Sequence, residues 1–179
     1  MDEMNKQIFP VLESERLILR ECLVSDADEL FNLAKDPKLT VNLSWESHKN
    51  INETCDFIKS VQNTENKFIW AICNKNSNKI MGIIELRINI KDSMGEMGYW
   101  IGVPYWNKGY MTEVVKSVIK FAFDELNLNR VQALHFLCNP ASGRVMEKCN
   151  MVFEGILREY LFHKVYHDCK IYSILKKDR

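Results

Sequence analysis

The sequence predicts an α+β fold with one mixed, mostly antiparallel sheet of about seven strands, flanked by four helices. Apolar, β-branched runs follow one another with short polar spacers between them, which is typical of antiparallel hairpins. Segments with helical periodicity stand before, between and after these runs. That order favours one mixed sheet with helices packed on it. A chain of 179 residues has the usual length of one domain, so we expect a single domain over residues 1–179.

The first strand and the first helix are predicted near the start of the chain. Residues 16–20 are a short apolar run bounded by arginines, and they predict a strand. Ser25, with Asp28 three residues later, resembles a capping box in which Asp stands in for Glu. Apolar residues at helical spacing follow, and Pro37 is expected to end this helix because proline cannot continue it.

A second helix is predicted after a polar loop over residues 39–49. Asn50 and Glu53 have the spacing of an N-terminal cap. The predicted buried face of this helix consists of Thr54, Phe57, Ile58 and Val61. The loop carries Trp45, which is unusual in a polar segment. Two interpretations are open: the indole folds back onto the core, or it forms the wall of a pocket.

Three consecutive strands come next. Residues 68–73 and 79–89 are apolar runs joined by the polar spacer 74–78, which predicts a hairpin. A turn at 91–94 leads to the third strand, which contains Glu96. We therefore expect three antiparallel strands before the longest helix.

A short loop with one glycine joins the third of these strands to the longest helix. The helix is predicted from an apolar stripe at Met111, Val114, Val115, Val118 and Ala122. Backbone N–H groups at a helix start lack partners within the helix, and the helix dipole adds partial positive charge. Lys108 adds a full charge next to Gly109. The turn is therefore suited to a phosphate or pyrophosphate, with a purely structural turn as the alternative.

The last third of the chain predicts a strand, a helix and a closing pair of strands. Residues 130–137 form the strand. Asn139 followed by Pro140 has the pattern of a cap before the first helical residue. Asn150 can adopt the left-handed conformation that ends a helix. The closing strands are predicted over 153–162 and 170–175.

Composition argues against several classes of protein. The 24 basic and 24 acidic residues give a formal net charge of zero, so nothing indicates a general electrostatic attraction to nucleic acid or a membrane. No apolar run approaches the ~20 residues of a membrane helix, and residues 1–10 lack an export-signal pattern. Six cysteines lack zinc-type spacing: Cys22, Cys55, Cys73, Cys138, Cys149 and Cys169. We expect reduced thiols and a cytoplasmic protein.

Several segments resemble the motifs of the GNAT acetyltransferase superfamily. The cofactor motif of that superfamily is resembled by Gly-Tyr-Trp-Ile at 98–101 and Trp-Asn-Lys-Gly-Tyr-Met-Thr-Glu at 106–113. Supporting matches are the segments 14–20, 139–142 and 172–175. The resemblance covers about residues 15–176, and it is greatest to the branch of ribosomal-protein-alanine N-acetyltransferases.

The resemblance implies an acetyl-CoA-dependent N-acetyltransferase with acetyl-CoA as co-substrate and no metal. Backbone N–H groups of the loop would bind the pyrophosphate, and an N–H near Ile101 would polarise the thioester oxygen. Asn139 would bond the pantetheine amide, or it only caps its helix. The implied cofactor-binding residues are Ile101, Val103, Asn107, Lys108, Gly109, Tyr110, Met111, Thr112, Asn139 and Lys148.

Two features depart from the family pattern. The loop holds Trp106 and Met111 where members of the superfamily usually have Arg or Gln and a small residue. Met146 occupies the position at which many amine-acetylating relatives have a tyrosine that acts as general acid. Methionine has no proton to give, so that mechanism does not transfer to this chain.

Proton transfer therefore requires other side chains. Glu96 is the favoured base, acting directly or through water, and Glu85 and His135 are the alternatives. Glu85 lies in an apolar strand, where a carboxylate is costly unless it faces solvent. His135 titrates near neutrality, although a lone histidine in a strand is often structural. Ser142 is the acid candidate, and its alternative role is to cap a helix.

We expect the acceptor to be a primary amine, either the N-terminal amine of a protein or a small molecule. A polycationic acceptor would favour a pocket rich in acidic residues, and residues 39–49 contain no dense acidic run. A homodimer is compatible with these expectations, and no nucleic acid or membrane partner is expected. The alternative function, suggested by Met146, is an acetyl-CoA-binding regulatory module without turnover.

Overall fold

The computed structural model describes residues 9–62 and 64–179. Residues 1–8, within the segment predicted to carry no export signal, lie outside the described residues. The described part contains eight strands: Leu12–Glu13 (β1), Leu17–Glu21 (β2), Lys67–Asn74 (β3), Ile80–Asn89 (β4), Met94–Ile101 (β5), Arg130–Phe136 (β6), Val152–His163 (β7) and Val165–Leu175 (β8). Its five helices are Ala27–Ala34 (α1), Pro37–Thr40 (α2), Ile51–Gln62 (α3), Tyr110–Asp124 (α4) and Pro140–Lys148 (α5).

One mixed sheet contains these strands in the order β1-β2-β3-β4-β5-β6-β8-β7. Neighbouring strands are antiparallel except β5 and β6, which are parallel and joined through α4. The predicted α+β fold class is confirmed. Within the described ranges the sheet has eight strands rather than about seven. The additional strand is β1, which pairs with β2 over only two residues. A strand this short leaves no alternating pattern in the sequence.

The two faces of the sheet carry separate apolar clusters because side chains alternate along each strand. The predicted stripe of α4 is buried on one face, where it packs against Trp70 and Ile84. On the opposite face, α1 and α3 cover Ile69 and Ile83. In the part of the chain that the structure describes, no helix has the length and apolar content required to cross a membrane.

The start of α3 agrees with the sequence. The Asn50 side-chain oxygen accepts the Glu53 N–H at 3.2 Å, and the Glu53 carboxylate accepts the Lys49 N–H at 2.9 Å. The first bond gives a partner to an N–H group that the helix leaves open, and the second ties the residue before Asn50 to the same turn. The predicted cap of α3 is therefore confirmed.

The predicted cap of α1 by Ser25 is wrong. A 3-10 turn over Val24–Asp26 precedes the helix, and the Asp26 carboxylate accepts the Leu23 N–H at 2.8 Å. Asp26 also accepts two hydrogen bonds from the Arg20 guanidinium, at 2.7 and 2.9 Å. A tertiary ion pair with β2 therefore decides which acidic residue holds the turn, and spacing within the segment cannot reveal it.

The strands β5 and β6 are paired only at their beginnings. Their parallel register runs from Met94–Arg130 to Met97–Ala133, whereas β5 continues to Ile101. Beyond this point the two strands diverge. We call the resulting gap in the sheet the splay. It leaves backbone groups of β5 without a neighbouring strand, and the candidate site lies there.

Candidate functional site

A cleft of about 440 Å³ opens at the splay, beside the beginnings of α4 and α5. Its lining contains three cations, Lys38, Arg144 and Lys148, and no carboxylate among the described residues. We call it the basic cleft. A concave surface with one sign of charge attracts ligands of the opposite sign, so this cleft is suited to an anion.

Eight of the residues predicted to bind a cofactor line the basic cleft: Ile101, Asn107, Gly109, Tyr110, Met111, Thr112, Asn139 and Lys148. The other two lie next to it. Val103 begins a 3-10 turn over Val103–Tyr105, and the Lys108 ammonium donates to the Pro104 carbonyl at 2.9 Å. Sequence reasoning missed Arg144, although it stands one helical turn before Lys148 and so on the same helix face.

The start of α4 presents backbone N–H groups to the basic cleft. Gly109 has a left-handed φ of 78°, and no side chain caps the helix. The first bond inside the helix runs from the Glu113 N–H to the Gly109 carbonyl at 3.2 Å. The N–H groups of residues 110–112 therefore have no partner within the helix. Together with the helix dipole, they form a turn that can bind a phosphate group.

Arg16 holds this turn against the start of β2. Its Nε and its backbone N–H donate to the two Glu113 carboxylate oxygens, both at 2.7 Å. Its guanidinium also donates to the Lys108 carbonyl at 3.2 Å and lies 4.3 Å from the centre of the Tyr110 ring. All of these partners, Tyr110 included, are 92–97 positions away in the chain, so sequence reasoning placed Arg16 only in a strand.

The backbone of β5 offers further groups to the same cleft. Gly102 donates its N–H to β4 at 2.8 Å, so antiparallel alternation also directs the groups of Trp100 toward β4. The groups of Tyr99 and Ile101 then point toward the splay. The Ile101 carbonyl accepts the Trp106 indole N–H at 2.7 Å, which leaves the Ile101 N–H directed into the gap. An extended ligand with amide groups can pair with this edge.

Asn139 joins α5 to the loop after α2. Its side-chain oxygen accepts the Ser142 N–H at 3.3 Å, which confirms the predicted cap. Its side-chain NH₂ donates to the Asn42 carbonyl at 3.2 Å. Both polar ends of Asn139 are therefore engaged within the protein.

A second cleft of about 400 Å³ adjoins the basic cleft. Its lining contains two carboxylates, Glu85 and Glu96, and one cation, Arg87. We call it the acidic cleft. Six residues line both clefts: Asn42, Leu43, Tyr99, Trp100, Asn139 and Ser142. The molecule thus places a cleft lined by cations and a cleft lined by two carboxylates side by side at the splay.

All three base candidates line the acidic cleft, and two of them, Glu85 and Glu96, contact the same arginine. Glu85 pairs with Lys67 at 2.9 Å and with Arg87 at 3.6 Å. Glu96 pairs with Arg87 at 2.7 Å and accepts a hydrogen bond from the Gln132 amide at 2.8 Å. A carboxylate has about four lone-pair positions, so Glu96 can still accept a hydrogen bond from water or an amine.

His135, the third base candidate, is buried. Its Nδ1 lies 2.8 Å from the Phe136 carbonyl, and Nδ1 carries the proton because a carbonyl only accepts. Its Nε2 has no partner among the described residues and packs against Gly143, where an added Cβ would lie 2.7 Å away. Burial lowers the pKa of His135 below its ordinary value. The imidazole is therefore neutral near pH 7, and although His135 lines the acidic cleft, its Nε2 is buried.

Ser142 and Tyr99 stand where the two clefts meet. The Ser142 hydroxyl donates to the Tyr99 hydroxyl at 3.0 Å, and the Tyr99 hydroxyl donates to the Ser142 carbonyl at 3.0 Å. Burial raises the pKa of Tyr99, so the phenol keeps its proton. Met146, one turn along α5, is fully buried in the core. Sequence reasoning missed Tyr99 because only the docking of α5 brings it to Ser142.

Aromatic side chains form the wall of the acidic cleft. The Trp45 ring is centred 5.6 Å from that of Trp100 and 5.4 Å from that of His48. Trp45 is half-buried and lines the cleft, so it forms a pocket wall rather than part of the core. An ion pair between Glu46 and Lys164, at 3.3 Å, joins this loop to the tip of the β7–β8 hairpin.

The cysteines are unpaired thiols, and one of them is packed between α4 and α5. Burial raises the pKa of Cys149 to about 11, and its Sγ donates to the Thr112 carbonyl at 3.5 Å. This thiol is therefore suited to packing and not to nucleophilic chemistry. Over the described ranges, no group of three or more histidine, cysteine or acidic side chains is arranged to hold a metal ion.

The sequence matches a family model described as an acetyltransferase (GNAT) domain, over residues 16–152. The uncharacterized N-acetyltransferase YoaA of Bacillus subtilis is 29% identical over 174 residues, which cover 94% of this chain and 98% of YoaA. The putative ribosomal N-acetyltransferase YdaF of the same organism is 34% identical over 101 residues, 55% of each chain.

Solved structures share the fold. A GNAT-family acetyltransferase from Bacillus anthracis superposes with a TM-score of 0.86, at 24% identity, over 94% of this chain and 99% of that one. The microcin C7 self-immunity acetyltransferase MccE, solved with acetyl-CoA and AMP, gives 0.82 at 25% identity over 90% and 93%. A spermidine N-acetyltransferase from Vibrio cholerae, solved with CoA and spermine, gives 0.79 at 22% identity over 91% and 97%.

Proposed function

Because the chain belongs to the GNAT acetyltransferase family and is an acetyl-CoA-dependent N-acetyltransferase, we propose that acetyl-CoA binds in the basic cleft and a primary amine in the acidic cleft. One observation carries this assignment: a cleft lined by cations and a cleft lined by two carboxylates meet at Tyr99 and Ser142. The polyanionic donor requires cations, and an ammonium acceptor requires a carboxylate. Their reacting ends would meet at the splay.

The start of α4 is the proposed pyrophosphate site. The N–H groups of residues 110–112 would donate to the phosphate oxygens, and Arg144 and Lys148 would neutralise their charge. Lys108 would reach the phosphates by releasing the Pro104 carbonyl. The pantetheine arm would pair with β5 in the splay, and the Ile101 N–H would polarise the thioester carbonyl.

Replacing Arg16 with Gln is expected to weaken binding of acetyl-CoA about tenfold, because the loss of charged hydrogen bonds releases the turn before α4. Isothermal titration calorimetry with acetyl-CoA measures the change. Lys75→Gln is the control, since it breaks an ion pair with Glu13 (2.9 Å) that lies outside the clefts. Equal dissociation constants for the two variants would contradict the role of Arg16 in holding the turn.

In the proposed reaction, Glu96 removes a proton from the ammonium through a water molecule. The amine nitrogen then attacks the thioester carbon, and the carbon–sulfur bond breaks with its electron pair on sulfur, to which Ser142 donates a hydrogen bond. The nitrogen gives its surplus proton to the thiolate, so the products are the neutral amide and the free thiol of CoA. The Ser142 hydroxyl supplies the donor that Met146 lacks. This favours turnover over the alternative of a regulatory module that only binds acetyl-CoA.

The acceptor that suits the acidic cleft is an amine with a single positive charge. Arg87 pairs with Glu96 and Lys67 pairs with Glu85, so each of the two carboxylates is already offset and little negative charge remains for a ligand. Trp45 and Trp100 offer aromatic surface to the group that carries the amine. We propose the N-terminal amine of a protein or a small monoamine. A polyamine would bring further positive charges that this cleft does not balance.

A panel of acceptors tests this assignment. We expect kcat/KM for short peptides with an unblocked N-terminus, or for small monoamines, to exceed that for spermidine by about tenfold or more. The same peptides with a blocked N-terminus and an intact lysine serve as control, and they separate the N-terminal amine from side-chain amines. The highest kcat/KM for spermidine would contradict the proposal. A thiol-release assay with acetyl-CoA measures every member of the panel.

A further inference from the structure

The hydrogen bonds of Ser142 include one with Tyr99 that the proposed chemistry does not use. The Ser142 hydroxyl donates its only proton to the Tyr99 hydroxyl, at 3.0 Å. This proton points toward Tyr99 and is not available to any other acceptor. Tyr99 in turn donates its proton to the Ser142 carbonyl, at 3.0 Å. Each hydroxyl has one donor and two acceptor positions, so both donors are committed.

We propose that Tyr99 is a positioning residue that reverses its hydrogen bond with Ser142 during the reaction. This rests on the proposed role of Ser142 as donor to the departing sulfur. When the Ser142 hydroxyl turns toward the sulfur, its hydrogen bond to the Tyr99 oxygen is broken. The Tyr99 hydroxyl then turns from the Ser142 carbonyl and donates to the Ser142 oxygen. Tyr99 neither gains nor loses a proton.

The surroundings of Tyr99 support this role. Its ring is held in the partly buried layer between β5 and α5, and the residue borders both clefts. Burial raises the pKa of Tyr99, so its hydroxyl stays protonated near neutral pH. A donor behind Ser142 makes the serine a stronger donor, because hydrogen bonds in a chain polarise one another. Charge developing on sulfur would therefore be better stabilised.

The test compares Tyr99→Phe in two backgrounds. With Ser142 present, we expect kcat to fall about tenfold, roughly the factor for the loss of one hydrogen bond, with little change in acetyl-CoA affinity. In a Ser142→Ala background the same change should cost little more, because the hydroxyl that Tyr99 supports is gone. Non-additivity of this kind identifies groups that act as a unit.

A purely structural role gives a different result. The Tyr99 bond to the Ser142 carbonyl is retained in Ser142→Ala, so a tether of α5 would cost the same factor in both backgrounds. Equal losses, or no loss in either background, would overturn the proposal. Near-normal turnover of Ser142→Ala alone would reject Ser142 as donor, and with it the proposed chemistry. An impaired Ser142→Ala enzyme with a normal Tyr99→Phe enzyme would reject only the positioning role.

Tyr172→Phe is the matched control. Tyr172 donates to the Glu147 carboxylate at 3.1 Å and so tethers the same helix away from both clefts. We expect its kcat to stay within about twofold of the parent, and a larger loss would overturn the claim that the effect at Tyr99 is local. If Tyr99→Phe does not fold, 3-fluorotyrosine at position 99 keeps the shape and strengthens the donor. The kcat of this variant should then differ from that of the enzyme with tyrosine at position 99 only when Ser142 is present.

Discussion

Replacing Glu96 with Gln is expected to lower kcat by about 10²–10⁴-fold, the usual cost of losing a general base. The carboxylate lies in the acidic cleft, three residues before Tyr99 and so ~10 Å along the strand from the point where the clefts meet. At that distance it can take the proton only through water. Steady-state kinetics at saturating acetyl-CoA measure the loss, and raising the pH should partly restore the rate by supplying neutral amine.

Glu85→Gln is the matched control for Glu96→Gln. Both carboxylates contact Arg87 and line the same cleft, so both changes remove one negative charge from it. Acetyl-CoA affinity should be unchanged in both variants, because the proposed phosphate site lies in the other cleft. A normal kcat for Glu96→Gln, with a large loss in Glu85→Gln, would move the role of base to Glu85. Normal rates for both would leave a mechanism in which the neutral amine arrives from solvent.

Replacing Gly109 with Val is expected to weaken acetyl-CoA binding by about 100-fold. The left-handed φ of 78° at Gly109 costs an L-residue about 1–2 kcal/mol, most of all a β-branched one. No clash within the protein adds to this, since an added Cβ would meet only Arg16, at 3.6 Å. The loss of binding comes from a turn that no longer presents its N–H groups to the phosphates. Calorimetry with acetyl-CoA measures it.

Gly109→Asn separates conformation from crowding. Asparagine tolerates the left-handed region, so the turn should keep its shape while a side chain stands where the phosphates approach. The melting temperature of Gly109→Val should fall by only about 2–8 °C, which shows that the fold survives. Normal affinity in Gly109→Val would exclude this turn as the pyrophosphate site.

Local patterns were sufficient for most of the fold. The stripe of α4, the cap at Asn50 and the cap at Asn139 depend on residues close together in the chain, and the structure has all three. The Ser25 cap failed for the opposite reason. Asp26 is held by Arg20 of β2, and the spacing around Ser25 contains no sign of that ion pair.

The parts of the candidate site that are formed by residues close together in the chain could be predicted. The parts that are formed by contacts between distant elements could not. The loop residues that line the basic cleft form one segment with the start of α4, so they could be found as a motif. Arg16 and Tyr99 reach the site only through docking of distant elements, at separations of 92 and 43 residues. The engagement of Glu96 with Arg87 and Gln132 likewise depends on strand register.

The divergence of β5 and β6 also has a consequence for the lifetime of the protein. In the described part of the chain, four residue pairs join a block of five strands to a block of three. A molecule that forms hydrogen bonds to both blocks would hold them together across the splay. By linkage, a ligand at 100 times its Kd adds about 2.7 kcal/mol to the free energy of unfolding. The cellular concentration of acetyl-CoA would then set the resistance of the protein to heat and proteolysis, as well as its rate of turnover.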